Sequence, residues 1–186
     1  MTAIGTEADV QAPPPADRAA RPGQMAPPLK VRLAGGGDWK LADARPSTFT
    51  LVLFFRGNHC PACRAQLSEL NRRLDEFTQR GVEVIAISGD TEALAAATVQ
   101  DWHLDRLRLG YAHVSASMRR WGLFISHGHH GEPEWFNEPG LFLVKPDGEI
   151  FYAALNSMPF GRPHLDEILN GIGFVTTAGY PARGEA

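Results

Sequence analysis

The 186-residue chain is poor in cysteine, in long apolar runs and in net charge. Its only cysteines are Cys60 and Cys63, which excludes a small secreted scaffold held together by several disulfides. No apolar run approaches the roughly 20 residues of a membrane-spanning helix, and residues 1–24 lack the apolar core of a secretory signal. The net charge of −3 gives no reason to expect a nucleic acid or an anionic membrane as partner. We therefore expect a protein of the reducing cytoplasm.

The N-terminal stretch differs in composition from the rest. Overall, 44% of the residues are hydrophobic and 21% charged, as in an ordinary globular domain of this length. Residues 1–28 are instead rich in alanine and proline, including Pro13-Pro14-Pro15 and Pro27-Pro28, and cannot offset the entropy lost on ordering. We predict a mobile arm over 1–28, or a strap across a second subunit, and one folded domain over 29–186.

The stretch from Leu51 to Arg64 organises the remainder. An apolar run ends at Phe55, a short polar bend follows, and Cys60 and Cys63 open a segment with helical periodicity. This order predicts a strand, a loop and a helix. The apolar stripe of the helix includes Cys63, four positions before Leu67, so we expect Cys63 to be sheltered and Cys60 to be exposed.

A cysteine at the start of a helix has a chemical consequence. Free backbone N–H groups and the helix dipole favour negative charge there, which lowers the pKa of Cys60 and raises its reactivity. A Cys-x-x-Cys between a strand and a helix is typical of a thioredoxin-like redox site. Two other interpretations stay open: buried cysteines that only pack, and a zinc site completed by histidines or by another subunit, since zinc needs about four ligands.

The periodicity of the remaining segments predicts alternating strands and helices. We expect an edge hairpin over 29–41, a strand covered on both faces over 49–55, and a parallel βαβ unit that ends with the strand over 82–87. The other expected elements are helices over 61–79, 92–102, 115–121 and 163–170, a strand over 107–111, and a hairpin over 141–154.

Residues 123–138 fit neither period, so we expect an exposed loop inserted in the domain. Its histidines and carboxylates suggest a metal site: His127, His129, His130, Glu132 and Glu134. Glycines between these residues leave the side chains unorganised, and we expect neither a metal nor another cofactor.

Several short motifs together resemble one family. They are Phe54-Phe55-Arg56-Gly57, Cys60-Pro61-Ala62-Cys63-Arg64, the segments 84–91 and 139–148, and the tail 180–185. In this order they are similar to the redoxin branch that holds alkyl hydroperoxide reductases and thiol-specific antioxidants, within it to the peroxiredoxin-like group with a CPxC site. The resemblance covers about residues 29–185 and implies an α/β thioredoxin-like fold, with a central mixed sheet flanked by helices.

The resemblance also implies residue roles. Cys60 would attack a peroxide, Cys63 would resolve the resulting sulfenic acid as a Cys60–Cys63 disulfide, and a thioredoxin- or glutathione-type thiol would restore both. Pro139 stands where thioredoxin-like proteins carry a proline that faces the cysteines. A homodimer is a further expectation by analogy.

The chain departs from the peroxiredoxin pattern beside the cysteines. Gly57 stands where the family has threonine or serine, Leu53 where it has proline, and Glu138-Pro139-Gly140 where it has an arginine before the next strand. Arg56, Arg64 or Arg162 could then hold the thiolate. Arg56 is the first choice because it shares a loop with Cys60, and His59 could hold a proton nearby.

These departures leave other functions open. The chain could be a thiol-disulfide oxidoreductase that acts on disulfides. It could also be a redox sensor or binding module whose disulfide alters a surface. A structural metal module is the last alternative.

Overall fold

The computed structural model describes residues 20–185. The described chain contains nine strands and five α-helices. The strands are β1 (Lys30–Leu33), β2 (Asp38–Lys40), β3 (Phe49–Phe54), β4 (Val82–Ile87), β5 (Leu109–Tyr111), β6 (Ile125–His127), β7 (Trp135–Asn137), β8 (Gly140–Val144) and β9 (Ile150–Leu155). The helices are α1 (Pro61–Arg72), α2 (Leu74–Gln79), α3 (Glu92–Asp101), α4 (Ser115–Arg120) and α5 (Leu165–Ala178). None of these helices is long and apolar enough to cross a membrane.

Seven strands form one mixed sheet, in the order β2-β1-β5-β4-β3-β8-β9. Strands β3, β4 and β5 are parallel to one another at its centre. The β1–β2 hairpin joins antiparallel on one side, and β8 and β9 join antiparallel on the other. The predicted central mixed sheet is therefore confirmed, with β1 and β2 capping one edge.

Strand β3 is buried at every position because the sheet is covered on both faces. Leu51, Leu53 and Phe55 belong to the core that also contains both cysteines, together with apolar residues of α1 and α5. Val52 and Phe54 belong to the core on the opposite face. Alternate side chains of a strand point to opposite faces, which explains the continuous apolar run in the sequence.

Residues 20–28 correct the prediction of a mobile arm. The N–H of Gly23 donates to the carbonyl of Ile150 at 2.9 Å, and the N–H of Ile150 donates to the carbonyl of Gln24 at 2.8 Å. Met25 forms a further bridge with Glu149. Backbone pairing with the β8–β9 hairpin orders this segment, and composition alone cannot reveal such pairing. The rest of the predicted arm, residues 1–19, lies outside the described residues.

Two helices differ in length from the prediction. The helix expected over 61–79 is divided at Arg73, whose φ of −101° and ψ of 10° leave helical geometry. Helix α5 continues beyond the expected end to Ala178 and stops at Gly179, which has a φ of 61°. Its apolar stripe runs through Ile168, Ile172 and Val175, so packing on the core sustains the helix past two glycines.

The segment predicted as a loop over 123–138 contains a short hairpin. Strands β6 and β7 pair antiparallel, with Ile125 opposite Asn137 and His127 opposite Trp135. The N–H of Gly128 donates to the carbonyl of Glu134 at 2.9 Å, and a Cβ at Gly128 would clash with the Pro133 carbonyl oxygen. The prediction was wrong because the histidines, glycines and carboxylates around these two short strands hide any alternation.

Candidate active site

The central strand delivers the cysteines to the start of a helix, as predicted. Strand β3 ends at Phe54, residues 55–59 cross the edge of the sheet, and Cys60 is the residue that caps α1. The Cys60 Sγ accepts the backbone N–H of Cys63 at 3.2 Å. Pro61 occupies the first helical position, where its missing N–H costs nothing. The thiol of Cys60 therefore fills the place of a capping oxygen.

Both cysteines are buried free thiols. Cys60 is only 1% exposed and Cys63 is fully enclosed, so the expectation of an exposed Cys60 was wrong. The prediction considered only which face of α1 each cysteine occupies. In the structure, the segment before α5 also brings Arg162 against both sulfurs.

Arg162 is the cation that contacts the cysteines. Its Nη2 lies 3.2 Å from the Cys63 Sγ and 3.6 Å from the Cys60 Sγ. Its Nη1 donates to the Gln66 Oε1 at 2.7 Å. Gln66 lies one turn along α1 from Cys63, so the helix that carries the thiols also fixes the direction of the guanidinium.

The two thiols are electrostatically different. A hydrogen bond from the Cys63 thiol, the Cys63 backbone N–H and the Arg162 guanidinium together lower the pKa of Cys60 to about 6, against the opposing effect of burial. Burial, followed by the hydrogen bond to Cys60, raises the pKa of Cys63. Near neutral pH the pair therefore carries one thiolate, on Cys60, with a thiol beside it.

Arg56, the first choice as thiolate partner, points elsewhere. Its Nη2 lies 2.9 Å from Glu132 Oε1, and its Nε lies 3.2 Å from Glu138 Oε2. The guanidinium also lies 4.5 Å from the ring centre of Phe136. Arg56 thus fastens the cysteine loop to the β6–β7 hairpin, through carboxylates that sequence proximity does not reveal.

His59 also faces the hairpin. Its ring centre lies 4.7 Å from that of Phe136, and its Nε2 lies 3.9 Å from Glu132 Oε1. Burial and then the charge of Arg56 lower the pKa of His59. The residue expected to hold a proton near the thiolate is therefore packed on Phe136 and faces Glu132.

Pro139 is buried directly before β8. Gly140, the next residue, pairs with Phe54 at the end of β3, so Pro139 lies at the sheet edge where the cysteine loop leaves. Its carbonyl accepts the N–H of Asn156 at 2.9 Å, which ties β8 to the segment that carries Arg162.

Sequence reasoning missed the polar groups that hold the cysteine loop. Asp90 Oδ2 accepts the N–H of Asn58 and the hydroxyl of Ser88, each at 3.0 Å. Asn137 Nδ2 donates to the carbonyl of Phe55 at 3.1 Å. Ser88 and Asp90 follow strand β4, beside the end of β3. These residues could have been found from the sequence, because parallel neighbouring strands bring their carboxyl ends to the same edge of a sheet.

The metal interpretations find no ligand set in the part of the chain that the structure describes. Within residues 20–185, no group of three or more His, Cys, Asp or Glu side chains could hold a metal ion. The rings of His129 and His130 lie against each other at a tilt of 49°, with centres 3.8 Å apart. His127 instead lies against Trp135.

Curated relatives align with most of the chain. The chain is 28% identical over 148 residues to "Putative peroxiredoxin Rv2521" of Mycobacterium tuberculosis, covering 76% of this chain and 88% of that protein. It is 26% identical over 159 residues to a thioredoxin peroxidase of Echinococcus granulosus, covering 79% and 77%.

Solved structures show the same architecture. The peroxiredoxin 6 of Arenicola marina matches with a TM-score of 0.76 at 17% identity, over 87% of this chain and 76% of that one. The reduced 2-Cys peroxiredoxin of Plasmodium vivax matches with a TM-score of 0.69 at 18% identity, over 84% and 97%. These likenesses establish the thioredoxin-like fold of the peroxiredoxins.

A family model extends the match over most of the domain. The model of the AhpC/TSA family covers residues 22–153, which include β1 to β8, most of β9 and both cysteines. Because this match spans well over half of the chain, the protein belongs to the AhpC/TSA family, the thiol-based oxidoreductases of the peroxiredoxin branch.

Proposed function

We propose that this protein reduces peroxides, with Cys60 as the attacking thiolate and Cys63 as the resolving thiol. The Cys60 sulfur attacks one peroxide oxygen, the O–O bond breaks, and the leaving oxygen takes a proton to give an alcohol or water. Cys60 is thereby oxidised to a sulfenic acid. The Cys63 sulfur then attacks the Cys60 sulfur, and the sulfenic hydroxyl leaves with the Cys63 proton as water, which completes the disulfide.

One observation carries the proposal, namely the shared contact of Arg162 with both sulfurs. A guanidinium beside Cys60 favours the thiolate, which is the nucleophilic form of cysteine. The same donors also lie where negative charge moves during attack on a peroxide. Burial keeps Cys63 protonated, so its proton remains available for the hydroxide that leaves Cys60.

The remaining parts of the cycle belong to the same proposal. An external dithiol of thioredoxin or glutathione type returns the Cys60–Cys63 disulfide to two thiols. We also propose a cytoplasmic location, where such reductants are available, and a homodimer, as sequence resemblance suggests.

Rapid mixing of the reduced protein with hydrogen peroxide tests the assignment. Reduced wild-type protein should consume one equivalent of peroxide and lose two thiols. Cys60→Ser should lose the reaction. Cys63→Ser should keep the first step and accumulate a sulfenic acid that dimedone traps. Equal rates for wild type and Cys60→Ser would contradict the proposal.

A second function has a specific observation in its favour. Gly57, at the position of the family's usual threonine, carries no hydroxyl. Glu138 lies in the segment where the family has an arginine, and it is paired with Arg56. The two side chains that the family usually places beside the thiols are therefore missing from these positions. Cys60 and Cys63 could instead exchange with disulfide substrates. Rapid reduction of insulin by the reduced protein, with peroxide rates no higher than those of a free thiol, would favour this function.

A further inference from the structure

The turn before Cys60 has an unusual backbone shape. Gly57 has a φ of 133°, a conformation that side chains other than hydrogen rarely adopt. A Cβ at this position would lie 2.7 Å from Asp90 Oδ1 and 3.1 Å from Oδ2. The carboxylate of Asp90 thus lies directly against the backbone of the turn.

The same carboxylate is hydrogen-bonded to the turn. Its Oδ2 accepts the N–H of Asn58 at 3.0 Å and is held by the hydroxyl of Ser88 at 3.0 Å. The Asn58 side chain in turn donates to the Thr98 hydroxyl on α3 at 3.0 Å. Asp90 is 6% exposed, and its pKa is raised by burial. A buried carboxyl of this kind needs these partners, so its position is fixed.

The turn at residues 57–58 positions the thiol of Cys60. The N–H of Cys60 donates to the carbonyl of Gly57 at 3.2 Å. Cys60 then starts α1 with its sulfur in reach of the Cys63 N–H and Arg162. A small displacement of residues 57–58 would therefore move the sulfur away from the donors that stabilise its thiolate.

We infer that Asp90 is a positioning residue for the Cys60 thiolate, acting through the N–H of Asn58 and close packing on Gly57. The inference deepens the proposed function and rests on it for its meaning in catalysis. Its test, however, measures the pKa of the Cys60 thiol and needs no peroxide.

The sign of the change in thiol pKa separates positioning from charge. Removing a negative charge near Cys60 would by itself favour the thiolate and lower its pKa. Loss of positioning would weaken the contacts of the sulfur and raise that pKa. Asp90→Ala removes both the charge and the acceptor, so a rise identifies positioning as the dominant effect. Asp90→Asn removes the charge but keeps an oxygen acceptor and the shape of the side chain, so the pKa of Cys60 should not rise in this variant.

The experiment is a titration of the Cys60 thiolate by its ultraviolet absorbance in the fully reduced protein. It is done in a Cys63→Ser background, so that only one thiol titrates. We expect Asp90→Ala to raise the pKa of Cys60 by about one unit, Asp90→Asn to leave it within a few tenths, and the exposed control Asp101→Ala to change nothing. An unchanged or lowered pKa in Asp90→Ala, or an equal rise in Asp90→Asn, would overturn the inference.

Two further measurements keep the result interpretable. If circular dichroism shows that Asp90→Ala is unfolded, Asp90→Ser replaces it, with the same rise expected. The peroxide rate of each variant with Cys63 intact is measured separately, and we expect a fall of about tenfold for Asp90→Ala. If the wild-type protein does not react with peroxide but Asp90→Ala still raises the pKa of Cys60, the proposed function is refuted and the positioning role is retained.

Discussion

At the scale of single residues, the central feature is that two arginines near the cysteine loop have different partners. Arg56 follows β3 in the cysteine loop but binds Glu132 and Glu138. Arg162 comes 102 residues after Cys60 in the chain and contacts both thiols. The arginine that is four residues from Cys60 in sequence thus binds the hairpin, whereas the arginine that contacts the thiols follows β9.

Arg162→Gln should raise the pKa of Cys60 and slow its reaction with peroxide. A hydrogen bond to a charged group contributes roughly 1.5–3 kcal/mol, and each pKa unit corresponds to about 1.4 kcal/mol. We expect a rise of about one unit and a fall of about tenfold in rate, measured by thiolate absorbance and rapid mixing. Arg64→Gln is the matched control on α1, because the Arg64 guanidinium donates to the carbonyl of Asp101, at 3.4 Å, on the exposed end of α3. Equal effects of the two substitutions would contradict the role of Arg162.

The peroxide reaction should depend on pH through Cys60. The reactive form is the thiolate, whose pKa is lowered to about 6. The rate should therefore rise as pH increases through about 6 and level off above about 7, since further deprotonation adds little. Rapid mixing at a series of pH values measures the profile. A rate that keeps rising to pH 9, as for an ordinary thiol, would show that the pKa of Cys60 is not lowered.

Sequence reasoning reached the cysteines at this scale but not their surroundings. The strand, bend and apolar stripe identify Cys60 as the residue that starts α1, because these are local patterns. The burial of Cys60 and the choice of Arg162 depend on where the segment before α5 crosses α1. That crossing is set by packing between distant elements, and no local pattern encodes it.

At the scale of elements, a buried ion pair helps to join the β6–β7 hairpin to the cysteine loop. The side chain of Glu138 is 4% exposed and faces Arg56, and the Ser126 hydroxyl donates to its Oε1 at 2.7 Å. Glu132 reaches Arg56 from the turn of the hairpin, where it is more exposed. The hairpin thus packs against the loop before Cys60 through Arg56.

Arg56→Met should destabilise the fold more than Glu132→Gln does. Removing the arginine leaves the Glu138 carboxylate buried without its cation, which costs about 3–5 kcal/mol. Glu132→Gln loses a partly exposed partner and should cost about 1 kcal/mol or less. Urea unfolding of the reduced proteins measures both. Similar free energies of unfolding for the two variants would show that the pair does not stabilise the hairpin.

The outcome for the elements follows from the clarity of their sequence pattern. Sequence periodicity located β3, β4, β8 and β9, which span five or six residues each, and it identified α1 and α3. It also located the three-residue strands β2 and β5, but it failed for β6 and β7, which lie among histidines, glycines and carboxylates that hide their alternation. Sequence patterns also did not predict the pairing of residues 20–28 with the β8–β9 hairpin, because this pairing uses backbone groups and needs no particular side chains.

At the scale of the whole molecule, the sheet separates two cores of different character. One core contains the cysteines, and the other contains Trp121 and Phe142 beneath α4. His113 lies 4% exposed in the second region, with its ring stacked on Phe54 at 5.0 Å. Burial, followed by the charge of Arg120, lowers the pKa of His113 to about 3, so the folded molecule holds this imidazole neutral.

The free energy of unfolding should therefore fall in mild acid. Unfolding returns His113 to an ordinary pKa of about 6.5, so the unfolded chain gains a proton there that the folded chain does not. Between pH 6.5 and 5, this contributes a loss of about 2 kcal/mol. In His113→Gln that part of the loss should disappear, whereas the exposed control His129→Gln should retain it. Urea unfolding at several pH values measures the slopes, and identical slopes in wild type and His113→Gln would contradict the burial of a neutral histidine.

The most direct test of peroxide reduction at this site is the rate at which the fully reduced protein forms the Cys60–Cys63 disulfide with hydrogen peroxide, compared with a free thiol at the same pH. We expect a rate orders of magnitude above that of the free thiol, lost in Cys60→Ser and reduced in Arg162→Gln. A rate no higher than that of the free thiol would contradict peroxide reduction as the function of this site.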